Sequence, residues 1–437
     1  MKKKNNKDKF DLVISGGRVI DPASDFDKMA DIYIQDGKVV KIESDKRDKK
    51  EEVIVLQIVD ARGKIVCPGL IDMHTHLREP GREDEETIYT GSMAAVAGGF
   101  TSICCMPNTF PPIDNQETVK FILEKAKFAK CRIFPIACIT KEQKGEEITE
   151  VCDLVQAGAV ALSDDGLPVS NSQVMRNILD YALMFGIPII SHCEDLTLSG
   201  DGVMNESFIS SLLGMKGIPS VAEEIAVGRD IKLAEYTKGK LHIAHVSTGG
   251  SVHLVREAKR RKVNISCEVT PHHFSLTDEL VKTFNTNLKT NPPLRTKKDV
   301  LAIKRGLKDG TIDVIATDHA PHSIEEKDVE FDAAPNGMIG LETALSLVIS
   351  ELVDKNVLSW KEAIAKLTVN PAKILNLDLG KIKVGSEADI TIIDPKVNWV
   401  VSPEKLSSKS KNSPFIGKRL KGRAWCTIVG GKIVYQL

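Results

Sequence analysis

The sequence lacks the features of a membrane or exported protein. Among its 437 residues, no uninterrupted apolar run reaches the length that spans a bilayer. The basic opening M-K-K-K-N-N-K-D-K-F is not followed by an apolar core, whereas a signal peptide needs one of about 7 to 15 residues. We therefore expect no signal peptide, no membrane partner and a cytoplasmic location.

The sequence also lacks an excess of charge of either sign. Its 59 Lys and Arg residues nearly balance its 60 Asp and Glu residues, so the formal net charge is -1. No global field would attract nucleic acid or an anionic membrane surface. This balance excludes nucleic acid as the expected partner and favours a small molecule.

No C-x-x-C pair occurs among the nine cysteines, and an odd number does not suit a disulfide framework. Most of them lie in apolar, strand-like runs, as Cys67, Cys104 and Cys267 do. This placement predicts small buried side chains in a reducing compartment. Cys193 neighbours His192 and is expected to point away from it, because neighbouring side chains on a strand face opposite ways.

The two ends of the chain share a β-rich pattern. Residues 10–60 contain short β-branched runs separated by G-G and D-G turns, and similar runs recur at 388–394 and 425–435. The run L-V-I-S-G-G-R-V-I-D near the start resembles C-T-I-V-G-G-K-I-V-Y near the end. We therefore predict one small discontinuous β domain built from both chain ends, over residues 1–66 and 375–437.

Between these ends, apolar runs of five to eight residues alternate with segments of helical spacing, a pattern typical of βα units and a parallel sheet. Eight strand candidates can be counted, the first over 64–74 and the last over 313–319. The α/β region 67–374 is therefore predicted to be a TIM-like (β/α)8 barrel. An open doubly wound sheet would explain the alternation, but not why polar residues close so many strands.

The first barrel strand ends in H-T-H. Side chains at i and i+2 leave the same face of a strand, so His74 and His76 are predicted to face one metal ion. Arg78 continues this alternation and would meet an anionic substrate group beside the metal. Taken alone, an H-x-H pair is more often two unrelated surface or core histidines.

Further polar residues lie at the carboxyl ends of other predicted strands, where the active sites of such barrels are found. They are Asp164 and Asp165, then His192, then His245, then Asp318, His319 and His322. For any one of these residues, a capping or core role is the better interpretation. Because all of them fall at predicted strand ends, together they favour a metal site. Nitrogen and oxygen donors in this number suit two zinc ions about 3.5 to 4 Å apart. Asp165 is the predicted bridge, and Asp318 the predicted proton acceptor and donor.

These residues resemble the amidohydrolase superfamily and, within it, the dihydroorotases of the type found in bacterial pyrimidine synthesis. The motifs that carry the resemblance span nearly the whole chain: P-G-L-I-D-M-H-T-H-L-R-E-P-G at 68–81, M-P-N-T at 106–109, S-D-D-G at 163–166, S-H-C-E-D at 191–195, H-V-S-T at 245–248, T-P-H-H at 270–273, N-P-P-L-R at 291–295 and A-T-D-H-A-P-H at 316–322.

The resemblance implies specific roles for residues of this chain. The zinc ligands would be His74, His76, Asp165, His192, His245 and Asp318, with Asp318 also the general acid/base. The substrate contacts would be His76, Arg78, Asn108, Asn291, His322, Asn336 and Gly337. The implied reaction is the reversible cyclisation of N-carbamoyl-L-aspartate to L-dihydroorotate in de novo pyrimidine (UMP) biosynthesis.

Two positions distinguish this chain within the resemblance. Where the family commonly has an aromatic residue, the motif A-P-N-G has Asn336; a backbone contact survives this change, whereas stacking on the substrate ring does not. Hydantoinase-like and allantoinase-like relatives generally bridge their metals with a carbamylated lysine, and no lysine occurs between Glu146 and Asn205. Asp165 therefore favours the aspartate-bridged dihydroorotases.

Two other functions stay open. The chain would be a hydrolase of another cyclic amide if its pocket preferred hydantoin or allantoin. It would be a structural scaffold if it bound no metal. Some dihydroorotase-like chains act in this way beside aspartate transcarbamoylase, but such chains usually lose metal ligands, and this chain keeps all six predicted ones. The resemblance also raises two protein partners, a second copy in a homodimer and an aspartate transcarbamoylase.

Overall fold

The computed structural model describes residues 9–44 and 54–437. Residues 1–8, the basic opening on which the signal-peptide prediction depends, lie outside the described residues. Most strands belong to one of two large sheets, and one small pair stands apart. None of the helices in the described part of the chain is both long and apolar enough to cross a bilayer.

The strands, in chain order, are β1 Lys9–Asp21, β2 Phe26–Gln35, β3 Lys38–Glu43, β4 Ile54–Asp60, β5 Ile65–Pro68, β6 Leu70–Thr75, β7 Phe100–Cys105, β8 Arg132–Ala137, β9 Ala161–Ser163, β10 Ile189–Ser191, β11 Met204–Asn205, β12 Gly217–Ile218, β13 Leu241–Ile243, β14 Ile265–Val269, β15 Val314–Ile315, β16 Ile390–Val400, β17 Arg419–Val429 and β18 Lys432–Gln436.

The α-helices are α1 Ile88–Gly98, α2 Gln116–Ala126, α3 Val151–Ala157, α4 Ser172–Ala182, α5 Leu196–Ser199, α6 Phe208–Leu213, α7 Ser220–Thr237, α8 Gly249–Arg260, α9 Pro271–Ser275, α10 Lys297–Lys308, α11 Ile324–Lys327, α12 Leu341–Val348, α13 Trp360–Leu367 and α14 Val369–Ile374.

The predicted barrel is confirmed. Its eight parallel strands follow the order β6, β7, β8, β9, β10, β13, β14, β15, so each of the eight strand candidates contributes one strand. The last strand returns to the first through a bridge between Thr75 and His319. The backbone N–H of His76 donates to the carbonyl of His319 at 2.8 Å. The buried Asp72 carboxylate accepts from the N–H of Thr317 at 3.1 Å and strengthens this seam.

The local sequence explains the barrel units. Every residue of β7 is buried, as expected for a parallel strand covered on both faces. Helix α4 buries a stripe at positions 174, 175, 178, 179 and 182, the spacing of one helix face. The side chain of Asn171 caps its first turn by accepting from the N–H of Gln173. Strand and helix thus bury complementary apolar surfaces.

The sheet built from both chain ends is also confirmed. Its strands follow the order β18, β17, β16, β5, β1, β2, β3, and β4 pairs with β1. Strand β5 joins the two halves because it pairs in parallel with β1 and antiparallel with β16. Side chains from both ends, including Ile14, Ile32 and Ile392, share one core.

The strand predicted over 64–74 is two strands. The chain leaves the small sheet after Pro68 and enters the barrel at Leu70. At Gly69 between them, an added Cβ would lie 2.0 Å from the Thr101 Oγ1 atom, so only glycine allows this close approach. Strand β5 crosses the boundary at 66/67, and the three-part division of the chain stays an interpretation.

Candidate metal centre and substrate pocket

The predicted metal ligands lie at the carboxyl ends of five barrel strands, and all six are buried. They are His74 and His76 at β6, Asp165 after β9, His192 after β10, His245 after β13 and Asp318 after β15. The strands are parallel, so their carboxyl ends open at one mouth of the barrel. The fold thereby brings together residues from distant parts of the sequence.

Asp165 is the point at which these side chains meet. Its Oδ1 atom lies 3.5 Å from the Nε2 atom of His74 and 3.4 Å from the Nε2 atom of His245. The Nδ1 atom of His192 lies 3.6 Å from the same oxygen. The other carboxylate oxygen lies 3.5 Å from the Nε2 atom of His76. The donors form two groups that share Asp165, and within each group they lie within 4.8 Å of one another.

Asp318 lies beside the first of these groups. Its Oδ1 atom is 2.9 Å from the Nε2 atom of His76 and 3.5 Å from that of His74. The backbone turns sharply here, because Asp318 has a left-handed φ of 49°. His245 also has a positive φ, 31°. Such conformations are costly for residues other than glycine and are typical of functional turns, and here they lie at two of the six predicted ligands.

The electrostatics of the site favour a cation. Burial alone raises the pKa of Asp165, but the surrounding imidazoles outweigh it and hold that pKa well below its usual range. The same balance, with His76 and His74 opposing burial, lowers the pKa of Asp318. Among the described residues, the buried His74 Nε2 and Asp165 Oδ1 atoms have no hydrogen-bond partner. Buried polar atoms without partners are costly, and a metal ion bound by imidazole and carboxylate satisfies them.

A carboxylate that sequence reasoning missed holds His74 in place. The Nδ1 atom of His74 donates to Glu268 Oε1 at 2.6 Å, which leaves Nε2 for the metal. The other oxygen of Glu268 accepts from His242 at 3.2 Å. Burial raises the pKa of Glu268, but His74 and His242 outweigh it and lower it to about 2. His242 is a fully buried side chain of β13 that shares this carboxylate with His74. A glutamate inside a buried strand was the signal for the contact.

Two further side chains orient predicted ligands in the same way. Asn108 accepts from the Nδ1 atom of His76 at 2.8 Å. Glu194, which sequence reasoning also missed, accepts from His192 Nε2 at 3.3 Å and from Asn291 at 2.8 Å. Two of the predicted substrate contacts, Asn108 and Asn291, therefore also support the metal centre. Glu194 is two residues past His192, a spacing that would have indicated it.

The neighbouring Asp164 faces away from the centre. Its carboxylate accepts from the N–H groups of Ile139 at 2.8 Å and Thr140 at 3.1 Å. Burial raises its pKa to about 6. Cys193 also points away from the centre, toward Ser191 and Asp230.

A cavity of about 180 Å³ opens beside the metal centre. All seven predicted substrate contacts line it, together with six further residues: Asp165, Gly166, His192, His245, Asp318 and Ala320. The predicted contacts are His76, Arg78, Asn108, Asn291, His322, Asn336 and Gly337. His74 does not line this cavity, because it lies deeper, against Glu268.

Arg78 reaches the cavity by a different route from the one predicted. Strand β6 ends at Thr75, and Arg78 has a left-handed φ of 61°. The predicted strand alternation from His76 to Arg78 is therefore wrong, and a turn places the guanidinium. Its Nε atom lies 3.0 Å from the buried Glu85 carboxylate and donates to the Pro321 carbonyl at 3.0 Å.

The opposite wall carries His322 and Asn336. The Nδ1 atom of His322 donates to Glu85 at 2.8 Å, so one buried carboxylate contacts both His322 and Arg78. The Nε2 atom of His322 donates to the backbone carbonyl of Asn336 at 2.8 Å. The Asn336 side chain is exposed. Its contact is thus made by the backbone, the kind of contact that tolerates asparagine at this position.

Comparison with known proteins agrees with this fold. The Amidohydrolase family model matches residues 65–434. The solved structure "L-Hydantoinase (Dihydropyrimidinase) from Arthrobacter aurescens" superposes with a TM-score of 0.86 at 26% identity, covering 98% of this chain and 96% of that one.

The similarity to curated proteins is much higher. The dihydroorotase of Pelotomaculum thermopropionicum is 54% identical over 97% of this chain and 98% of its own length. The dihydroorotase of Endomicrobium trichonymphae is 55% identical over 98% of this chain and 100% of its own length. The chain belongs to the amidohydrolase family and, within it, to the dihydroorotases.

The contact between Glu268 and His74 leads to a prediction. We expect Glu268→Gln to weaken metal binding about 10 to 100-fold, because a partner that orients a ligating histidine contributes that much. Competition with a chelator, followed by metal analysis, measures the change. Glu279→Gln, a change at an exposed residue, is the control. Equal metal retention in both variants would show that Glu268 does not support the centre.

Proposed function

We propose that the chain catalyses the reversible cyclisation of N-carbamoyl-L-aspartate to L-dihydroorotate, a step of pyrimidine biosynthesis, in the cytoplasm. The observation that carries this proposal is the position of a pocket lined by the Arg78 guanidinium and the His322 imidazole directly beside a six-donor metal centre. Both substrates carry a carboxylate that takes no part in the bond change and that cationic or N–H donor groups can hold. Relatives at 54% and 55% identity that are named dihydroorotase support the same reaction.

The proposed cofactor is a pair of zinc ions held by His74, His76, Asp165, His192, His245 and Asp318. Six donors exceed the four that one tetrahedral zinc site takes, and both donor groups include Asp165. When bound there, the ions would polarise the substrate carbonyl and lower the pKa of a water molecule to about 7. The buried atoms without partners at His74 and Asp165 support this assignment.

Asp318 is the proposed general acid/base. Its lowered pKa keeps it a carboxylate at neutral pH, so it can accept a proton during ring opening and return it to the leaving nitrogen. It lies in the lining of the cavity as well as beside His76. This position allows one group to reach both the reacting atoms and the metal centre.

The remaining lining residues bind and orient the substrate in this proposal. Arg78 would take its carboxylate through charge-assisted hydrogen bonds, with His322 beside it in the lining. Asn108, Asn291 and the backbone at Asn336 and Gly337 would fix the ring. Two protein partners, a second copy and an aspartate transcarbamoylase, enter the proposal on the family resemblance alone.

The choice of substrate is tested by turnover. We expect the purified chain, kept free of chelators, to hold close to two equivalents of zinc and to turn over dihydroorotate in preference to hydantoin and allantoin. Metal analysis and the three assays use the same sample. A preference for hydantoin would show that the proposed substrate is wrong. A well-folded protein without metal would favour a structural scaffold over an enzyme.

The role of Asp318 is tested by Asp318→Asn, which keeps the shape of the side chain. We expect kcat to fall about 100 to 10,000-fold, the contribution of a positioned acid/base. Asp328→Asn, an exposed change near the pocket mouth, is the control. Metal content is measured in parallel because Asp318 is also a proposed ligand. A metal-loaded variant with normal kcat would remove the acid/base role.

The role of Arg78 is tested by Arg78→Ala. Losing a charged hydrogen-bond partner of about 1.5 to 3 kcal/mol corresponds to a KM for dihydroorotate about 10 to 100-fold higher. We expect kcat to change less, since Arg78 is not assigned to proton transfer. Arg256→Ala, which breaks an ion pair with Asp309 at the barrel surface, is the control. An unchanged KM would contradict recognition of the substrate by this guanidinium.

A further inference from the structure

A polar segment between β16 and β17 is buried against the mouth of the barrel. Residues 406–413 read L-S-S-K-S-K-N-S, a composition typical of an exposed loop. Nevertheless Ser408 is 0% exposed, Asn412 4% and Ser413 2%. Buried polar groups need hydrogen-bond partners. The partners of this segment therefore show what it does in the structure.

The first half of the segment binds the loop that follows the metal-binding strand β6. The hydroxyl of Ser408 donates to Glu86 at 2.5 Å, and the N–H of Lys409 donates to the same carboxylate at 3.1 Å. The hydroxyl of Ser410 donates to the backbone carbonyl of Glu85 at 2.6 Å. Since Glu85 holds Arg78 and His322, the segment lies directly behind these two groups of the pocket lining.

Asn412 uses its whole side-chain amide to join two further loops. Its Oδ1 atom accepts from the backbone N–H of His322 at 3.1 Å. Its Nδ2 atom donates to the carbonyl of Ala320 at 3.0 Å and to that of Gly337 at 3.2 Å. Its own carbonyl accepts from the N–H of Ile339 at 3.0 Å. One planar group thus fixes the distance between the loop 320–322 and the loop 337–339.

These loops form part of the cavity wall, where Ala320, His322 and Gly337 all line it. We propose that Asn412 is a positioning residue of the active site, through which the sheet built from the chain ends holds the substrate-binding loops of the barrel in register. This inference rests on the proposed function, because it concerns the same pocket. Asn412 does not line the cavity and acts through the residues that do.

The loops are also joined independently of Asn412. The N–H of Ala320 donates to the carbonyl of Met338 at 3.0 Å, and His319 bridges to Met338. Removal of the Asn412 side chain is therefore expected to leave the fold and the metal ligands in place. What it removes is the fixed spacing between His322 and Gly337. A displacement of about 1 Å at a substrate contact can cost on the order of 100-fold in kcat/KM, and here the loss is expected in KM because the acid/base group and the metal ligands stay in place.

The test compares Asn412→Ala with Ser413→Ala in the full-length, metal-loaded chain. Ser413 is a matched control, because it is equally buried and its hydroxyl accepts only from the N–H of Phe415 within its own segment. We expect Asn412→Ala to raise the KM for dihydroorotate about 10-fold or more. Its kcat should change by less than about three-fold and its metal content not at all, whereas Ser413→Ala should match the wild type in all three.

Hydrogen–deuterium exchange supplies a measurement that does not depend on turnover. In Asn412→Ala, the amides of peptides covering 319–323 and 336–340 should exchange faster than in the wild type and in Ser413→Ala. Asn412→Asp is the second variant if the alanine variant does not fold, since it keeps the acceptor for His322 but loses both donated hydrogen bonds. It should show faster exchange and a raised KM as well.

Unchanged exchange in these peptides, or faster exchange with an unchanged KM, would overturn the positioning role. A fall in kcat and metal content without a rise in KM would also overturn it, because it would indicate general damage to the centre. If the wild type did not turn over dihydroorotate, the proposed function would fail. The exchange difference would then still decide whether Asn412 anchors the two loops.

Discussion

The structure depends on one buried carboxylate surrounded by imidazoles. Asp165 lies within 3.6 Å of ring nitrogens from His74, His76, His192 and His245, and its lowered pKa keeps it negatively charged. A charge this deep in a protein requires a positive partner. The closed barrel meets this requirement by directing nitrogen and oxygen donors from five strands to one point, where a metal ion supplies the positive charge.

Around this centre, each layer of contacts orients the one inside it. Glu268 and Asn108 leave the Nε2 atoms of His74 and His76 directed toward the centre. Glu85 holds Arg78 and His322 at the edge of the pocket. The outermost layer comes from the other sheet, whose Asn412 fixes the loops behind His322 and Gly337. The two sheets therefore contribute to one site, although only the barrel carries the proposed ligands.

Much of the barrel and of the site's location was predictable, because both follow from short-range patterns. Apolar runs alternating with helical segments indicated all eight barrel strands, and polar residues at their ends indicated the mouth. Contacts between distant residues were not predictable in the same way. Glu268 is 194 positions from His74, the turn at Arg78 depends on a left-handed φ, and the buried segment 406–413 has the composition of an exposed loop. Local sequence does not reveal which distant partners satisfy such groups.

The most direct test of the central claim is X-ray absorption at the zinc edge of the zinc-loaded protein. The six proposed ligands predict a first shell of nitrogen and oxygen atoms only, with the outer scattering of several imidazole rings. A hydrated ion without imidazole scattering, or a shell that contains sulfur from the buried cysteines, would contradict it.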